Sequence, residues 1–297
     1  MREALLKHIV CPRCRGEFAL TARRRENPHV MEGSLRCEGC GAAYPIDAGI
    51  PVLFEQRLVN ADNTRTADRF GYEWERFDFL SSTYEPQFLD WVWPITREFF
   101  PGKVVLDAGC GKGRHAVCST RFGASEVIGI DLAAGSVSAA FRNTRELENV
   151  HIVRADIFNL PFRDEAFDYI YSIGVLHHTP DPGRAFSCLA GKLRRRGTIS
   201  IWVYGKEGNW WITSLLNPIR LAITSRLPLV VTRAIAFVLA IALQLALKSV
   251  YRPVNQVSWL KPLSRFLFYN DYLYYISGFS FRENYSIVFD HLLPEIA

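Results

Sequence analysis

The 297-residue sequence has no internal repeat and no low-complexity tract, which excludes solenoid and fibrous architectures. It also lacks a strong charge of either sign, the formal net charge being +5. So mild a balance permits an anionic partner, nucleic acid or anionic lipid, without demanding one. The opening MREALLKHIV has no charged n-region, long apolar core or small-residue cleavage site of a secretion signal, so a cytoplasmic location is expected. Long apolar runs are scarce, and the uninterrupted AIAFVLAIA (234–242) is too short to cross a bilayer. What remains is globular in composition, 49% hydrophobic and 22% charged, with room for one large domain or two modest ones.

Seven cysteines are present, and four form the tight pairs CPRC (Cys11, Cys14) and CEGC (Cys37, Cys40). Cys110, Cys118 and Cys188 are left over, and such an odd total with CxxC pairs fits a reducing compartment and a metal site rather than disulfides. Each pair falls in a turn supported by Gly16 or Gly41, so two turns facing each other supply four thiolates to a tetrahedral zinc ion. Four protein ligands leave no position for water or substrate, so the zinc is expected to be structural. A segment this short builds little core, and the metal would supply folding energy. Arg23, Arg24 and Arg25 between the pairs either touch phosphate or form a solvated loop; the loop is the preferred reading.

Beyond the first 55 residues the chain is polar, then aromatic, to about residue 100. From 103 short apolar runs alternate with helical stretches: VVLD, EVIGID, VHIVRAD, FDYIYSIG and GTISIWVYG read as strands, with helices near 112–123, 133–147 and 182–194. This alternation predicts a doubly wound α/β sheet, parallel and covered on both faces. The expected organisation is a zinc ribbon over 1–55, a linker with helices over 56–100, a Rossmann-like core over 101–205 and an apolar, aromatic helical part over 206–297.

The first strand runs into DAGCGKG, where Asp107 precedes Gly109, Gly111 and Gly113. Glycines there let a backbone approach a ligand at the switch point of the sheet. A dinucleotide-binding GxGxxG needs glycine or alanine at 114, which is Arg114, and an acid before the loop repels pyrophosphate. The loop suits a cationic ligand without phosphate. Asp131 ends the second strand, where a carboxylate can accept both ribose hydroxyls. Asp156 ends the third, within reach of an adenine amino group. Three acids at the ends of successive strands converge on one crevice.

These motifs resemble those of the class I S-adenosylmethionine (SAM)-dependent methyltransferases, in the type 11-like group that carries GVLHH. DAGCGKG is similar to their first motif, GIDLA to the second, RADIFNLPF to the third and SIGVLHHTPDP to the fourth-strand segment, over about residues 66–205. The resemblance implies that Asp107, Gly109, Cys110, Gly111 and Gly113 surround the methionine part of SAM. It further implies that Asp131 and Leu132 hold the ribose, that Asp156 and Ile157 read adenine, and that Ser172 and Ile173 open the segment beside the transferring methyl. The N-terminal ribbon resembles the Trm112-type zinc domain, fused to such enzymes or supplied as a separate activator. RFGYEW (69–74) resembles a segment that closes over the cofactor in fused relatives.

Methyl transfer from a sulfonium is an in-line displacement, and a general base is needed only for a hydroxyl or acidic-carbon acceptor. His177 and His178, just past the fourth strand, are the candidate bases; the other reading is that one of them packs or caps the TPDP turn. The absence of a [DN]PP[YF] segment argues against a base-amine acceptor. LRRRGT (193–198) replaces the usual KPGG-like loop and is expected to alter a surface turn. Such enzymes normally end in a helix and an antiparallel strand pair, whereas FDHLLPEIA implies rearranged or missing strands and an exposed sheet edge.

LPLVVTRAIAFVLAIALQLAL (227–247) is about membrane length but is interrupted by Arg233 and Gln244. A helix packed over the site or on a partner is preferred to peripheral membrane contact, and that to a span. With FLFYNDYLYY (266–275) it suggests a hydrophobic or lipid-linked small-molecule acceptor. The alternatives are an RNA-modifying enzyme gripping nucleic acid through the ribbon, a non-catalytic SAM-fold scaffold and, last, a dehydrogenase.

Overall fold

A computed structural model describes residues 1–55, 61–205, 214, 218, 220–224 and 226–293. Residues 56–60 of the expected linker, most of 206–219 and the last four residues of FDHLLPEIA lie outside the described residues. The chain divides into two compact units, Met1–Gly205 and Lys206–Glu295.

In the first unit the ribbon is a four-stranded antiparallel sheet of β1 (Phe18–Glu26), β2 (His29–Cys37), β3 (Ala43–Asp47) and β4 (Ile50–Pro51), in that order. Arg23–Arg25 belong to β1, not to a loop: Arg24 pairs with Glu32 at 2.7 Å and with Glu26, and Arg25 with Glu3 at 2.6 Å. Two helices follow, α1 (Ala61–Arg76) and α2 (Tyr84–Trp91).

The second sheet has β5 (Val104–Ala108), β6 (Glu126–Asp131), β7 (Val150–Arg154), β8 (Phe167–Ile173) and β9 (Leu193–Trp202), all parallel, in the order β7-β6-β5-β8-β9. The order reverses beside β5, so its C-terminal end opens the crevice where such sheets bind ligands. Helices α3 (Arg114–Arg121), α4 (Ala134–Thr144) and α5 (Pro182–Ala190) connect the strands. Local chemistry sets their limits: α5 starts where Asp181 accepts from the Arg184 N–H and Pro182 takes the first turn. α1 lies against α4 where Gly71 meets Gly135, an approach that a side chain on Gly135 would block. LRRRGT is not a turn before the fifth strand but a bulge within β9. Phe167 and Tyr169 of β8 pair with Leu193 and Thr198, and Arg196 takes up the slack at φ +64°.

The ribbon extends the parallel sheet. Val52 pairs in parallel with Arg154 of β7, and the Leu53 N–H donates to the Arg154 carbonyl at 2.8 Å. That covers the outer edge of β7, which would otherwise offer unpaired backbone groups. Ile9 bridges to Phe162, and Leu5, Ile9 and Leu53 share one core with Val153, Phe162 and Phe167.

The second unit contains α6 (Leu229–Gln256), α7 (Asn270–Ile276) and α8 (Phe281–Leu292). α8 starts at a capping box between Ser280 and Glu283. It holds α6 through Asn284, which donates to the Gln244 side chain at 2.7 Å. Among the described residues every element after β9 is helical.

Candidate active site

The turn after β5 depends on three glycines in the left-handed region, Gly109 (φ +84°), Gly111 (φ +52°) and Gly113 (φ +78°). Gly109 faces Val175 so closely that a Cβ would collide with it, and a Cβ on Gly111 would stand 3.1 Å from the Trp74 indole nitrogen. Glycine is therefore required both by conformation and by space. Trp74 belongs to the RFGYEW segment, so α1 brings that segment against the glycine loop.

Asp107, Asp131 and Asp156 stand at the ends of three adjacent strands. Asp107 is 1% exposed, and its Oδ2 has no hydrogen-bond partner. Burial pushes its carboxyl up to about 8, against the Tyr171 hydroxyl, which pulls it down; the Asp131 charge adds to the rise. A buried carboxyl with one oxygen left without a hydrogen-bond partner fits a cationic ligand group. Asp131 accepts from the Gly111 N–H at 3.1 Å and the Ala133 N–H at 2.9 Å, which fixes its carboxylate. Burial raises its pKa and those two N–H groups oppose the rise. Asp156 accepts from the Phe158 N–H at 3.0 Å, capping the turn that carries Ile157, and burial likewise raises its pKa.

The other expected residues differ in what they can offer. Leu132 and Ile157 are half-buried beside their acids. The Cys110 thiol is buried, and that burial holds its pKa well above the usual thiol range. Ser172 is fully buried and donates to the Ala108 carbonyl at 2.8 Å, so its side chain ties β8 to β5, and Ile173 packs in the core. His177 and His178 stand with ring centres 4.0 Å apart; His177 meets Tyr204 at 4.8 Å and His178 meets Phe70 at 4.9 Å. The histidines thus sit among aromatic rings at the C-terminal ends of β8 and β9.

The aromatic contacts of two cations beside the loop escaped the sequence reading. Lys112 is 1% exposed; its ammonium donates to the Phe77 carbonyl at 2.7 Å and the Tyr84 hydroxyl at 3.0 Å, 4.3 Å from the Phe79 ring centre. The Arg114 guanidinium stands 5.0 Å from the ring centre of Tyr84, 5.4 Å from Trp91 and 5.6 Å from Trp74. Cation–π contacts of this kind clamp the glycine loop to α1 and α2. The only sequence signal was the aromatic density of 70–91.

In the ribbon, Cys11, Cys14, Cys37 and Cys40 place their sulfurs within 4.8 Å of one another. Cys14 and Cys37 are 3.3 Å apart, Cys11 and Cys40 3.8 Å. Zinc–sulfur bonds of about 2.3 Å put tetrahedral sulfurs roughly 3.8 Å apart, so the spacing fits one ion. Burial pushes the Cys37 thiol up, but the Cys40 N–H, the Cys14 thiol and the Gly39 N–H outweigh it and bring it down to about 7. Those donors favour thiolate, the form that binds metal.

Residues 106–201 match the model of a methyltransferase domain, and residues 2–49 that of a Trm112p-like protein. The chain is similar to a Mus musculus protein named "Probable tRNA methyltransferase 9B" (34% identity over 141 residues, 43% of this chain and 30% of that one). It is similar also to the tRNA U34 carboxymethyltransferase of Pseudomonas aeruginosa (strain LESB58), with 32% identity over 139 residues, 45% of this chain and 43% of that one. The chain thus spans less than half the length of these curated relatives. Among solved structures it resembles a complex between the Haloferax volcanii Trm112 methyltransferase activator and a methyltransferase (TM-score 0.37, 23% identity, 48% of this chain and 66% of that one). The chain is thus similar to a methyltransferase domain over residues 106–201 and to a Trm112p-like protein over residues 2–49, ahead of it.

Proposed function

We propose that the chain is a SAM-dependent methyltransferase acting on a hydrophobic small molecule. The observation that carries the reading is the set of three acids, Asp107, Asp131 and Asp156, at the ends of adjacent β5, β6 and β7 around a glycine turn. Asp107 with Gly109, Cys110, Gly111 and Gly113 would hold the methionine part, Asp131 and Leu132 the ribose, and Asp156 and Ile157 the adenine. Ser172 and Ile173 would contribute backbone beside the methyl, since their side chains are committed to the core. When bound, SAM supplies an activated methyl group; the protein's part is to align the acceptor and exclude water. His177 and His178 would line the acceptor side with Tyr204 and Phe70, an aromatic setting suited to an apolar acceptor. Cys11, Cys14, Cys37 and Cys40 would hold a structural zinc ion.

The names of the relatives favour a second reading, a tRNA acceptor, although the matched segment contains the donor-binding motifs. Incubation with methyl-labelled SAM and fractionated lysate separates the two. Label in organic-soluble material supports the first; label in tRNA, with RNA binding that falls steeply with salt, overturns it.

A further inference from the structure

We propose that the second unit docks on an anionic lipid bilayer with α6 lying in the plane of the interface. α6 is 28 residues long, and its most apolar window has a mean hydropathy of 2.2 with only 22% of it buried. The buried stripe is narrow and made largely of small residues, Thr232, Ala236 and Ala240, continuing to Leu247. These fall one above the other at helical spacing, on the side that meets α8. On the rest of the helix Val230, Val238 and Leu245 are 61%, 64% and 66% exposed, with Leu239 and Ile241 beside them also exposed. Such a set of exposed apolar side chains on one helix marks an interaction surface.

Charge indicates what covers it. Between Gly208 and Asn270 the sequence has no Asp or Glu and seven Lys or Arg, among them Arg226, Lys248, Arg252 and Lys261. Cations alone around an apolar face complement the negative surface of a bilayer containing anionic lipid. A protein groove would more commonly supply mixed charge at its rim. Trp259 and Phe266, 78% and 72% exposed, stand in the segment after α6, and such rings settle at the headgroup level.

The partner of α6 argues against a span. α8 holds α6 through the bond from Asn284 to Gln244 and through Tyr285, whose hydroxyl donates to the Arg233 carbonyl at 3.0 Å. α8 also carries Arg282, Glu283 and Asp290. A spanning α6 would draw these charges into hydrocarbon, at a cost an in-plane helix avoids by keeping α8 on the water side. This inference is independent of the acceptor.

The test uses the full chain in co-sedimentation with vesicles of phosphatidylcholine alone or mixed with phosphatidylglycerol. Binding is expected to the mixed vesicles, to weaken with salt, and to fall roughly tenfold or more in the double variant Lys248→Glu, Lys261→Glu. Val238→Glu with Leu245→Glu should also abolish it while SAM binding persists, which shows that the chain still folds. Lack of binding to mixed vesicles overturns the proposal, as does equal binding to both vesicle types. A salt-stable dimer that is lost in Val238→Glu, without vesicle binding, assigns the face to a second copy. Resistance of the bound chain to alkaline carbonate extraction would overturn the in-plane placement in favour of a span.

Discussion

The Arg15 guanidinium of the first cysteine knuckle donates from Nη1 to the Leu160 carbonyl at 2.9 Å and from Nη2 to the Phe162 carbonyl. Arg15 itself stands in the left-handed region at φ +67°, immediately after the CPRC pair. The Val10 N–H adds a bond to the Pro161 carbonyl at 2.9 Å. The knuckle therefore grips the segment just after Asp156 and Ile157, so that the cysteine cluster, the ribbon and the proposed adenine side form one mechanical unit.

Replacing Arg15 by Ala removes charge-assisted bonds to two backbone carbonyls in a partly exposed setting, a cost of about 1–2 kcal/mol. The expected result is a lower melting temperature and a several-fold weaker SAM affinity with zinc retained. An unchanged SAM titration would show that the grip does not reach the cofactor side.

Cys37→Ser should release the ion and destabilise the ribbon, because the remaining three thiols no longer close a tetrahedron. Elemental analysis is expected to find one zinc per wild-type chain and none in the variant. Equal metal content in both would contradict the four-thiol site.

Glu126, at the start of β6, accepts from His151 Nε2 at 2.8 Å and Lys7 Nζ at 2.5 Å. Burial opposes its charge, yet these two donors win and bring its pKa down to about 2 from 4.5. With the folded value below the unfolded one, its stabilisation is present above about pH 4.5 and lost as pH falls towards 2. Glu126→Gln should lower stability at neutral pH by about 2 kcal/mol, and the difference from wild type should shrink through that window. Urea melts at several pH values check this; a constant difference would contradict it.

Asp107 behaves in the opposite sense. Its folded value, raised by burial to about 8, makes the protonated form the native one at neutral pH. The stability it contributes is therefore present at acid pH and is lost as pH rises through about 8. A cationic ligand would draw out the carboxylate, so SAM binding is expected to release protons near neutral pH and to tighten as pH rises towards 8. Calorimetry in buffers of different ionisation enthalpy measures the release, and Asp107→Asn should abolish it. Buffer-independent heats in the wild type would contradict the assignment.

The strands, the glycine turn and the paired cysteines were legible in the sequence because each is a local pattern: an apolar run, a conformational need, a ligand spacing. The five-strand parallel sheet follows from such patterns. Contacts between distant segments were not legible. The pairing of Val52 with Arg154, the Trp74 indole over Gly111 and the aromatic clamp on Lys112 and Arg114 join segments that only folding brings together. Arg23–Arg25 misled because a run of charge looks like a loop, whereas an exposed strand face carries it equally well. LRRRGT misled in a similar way, since a bulge and a turn use the same residues.

The most direct test of the central claim is calorimetric titration of SAM into the wild type and Asp131→Ala. The Asp131 carboxylate is fixed by the Gly111 and Ala133 N–H groups, and its loss removes two charge-assisted bonds to the proposed ribose. The expected result is binding to the wild type and an affinity about 10- to 100-fold lower in the variant, with an unchanged circular dichroism spectrum. Equal affinity in the two proteins, or no binding to the wild type, would contradict the assignment of SAM to this site.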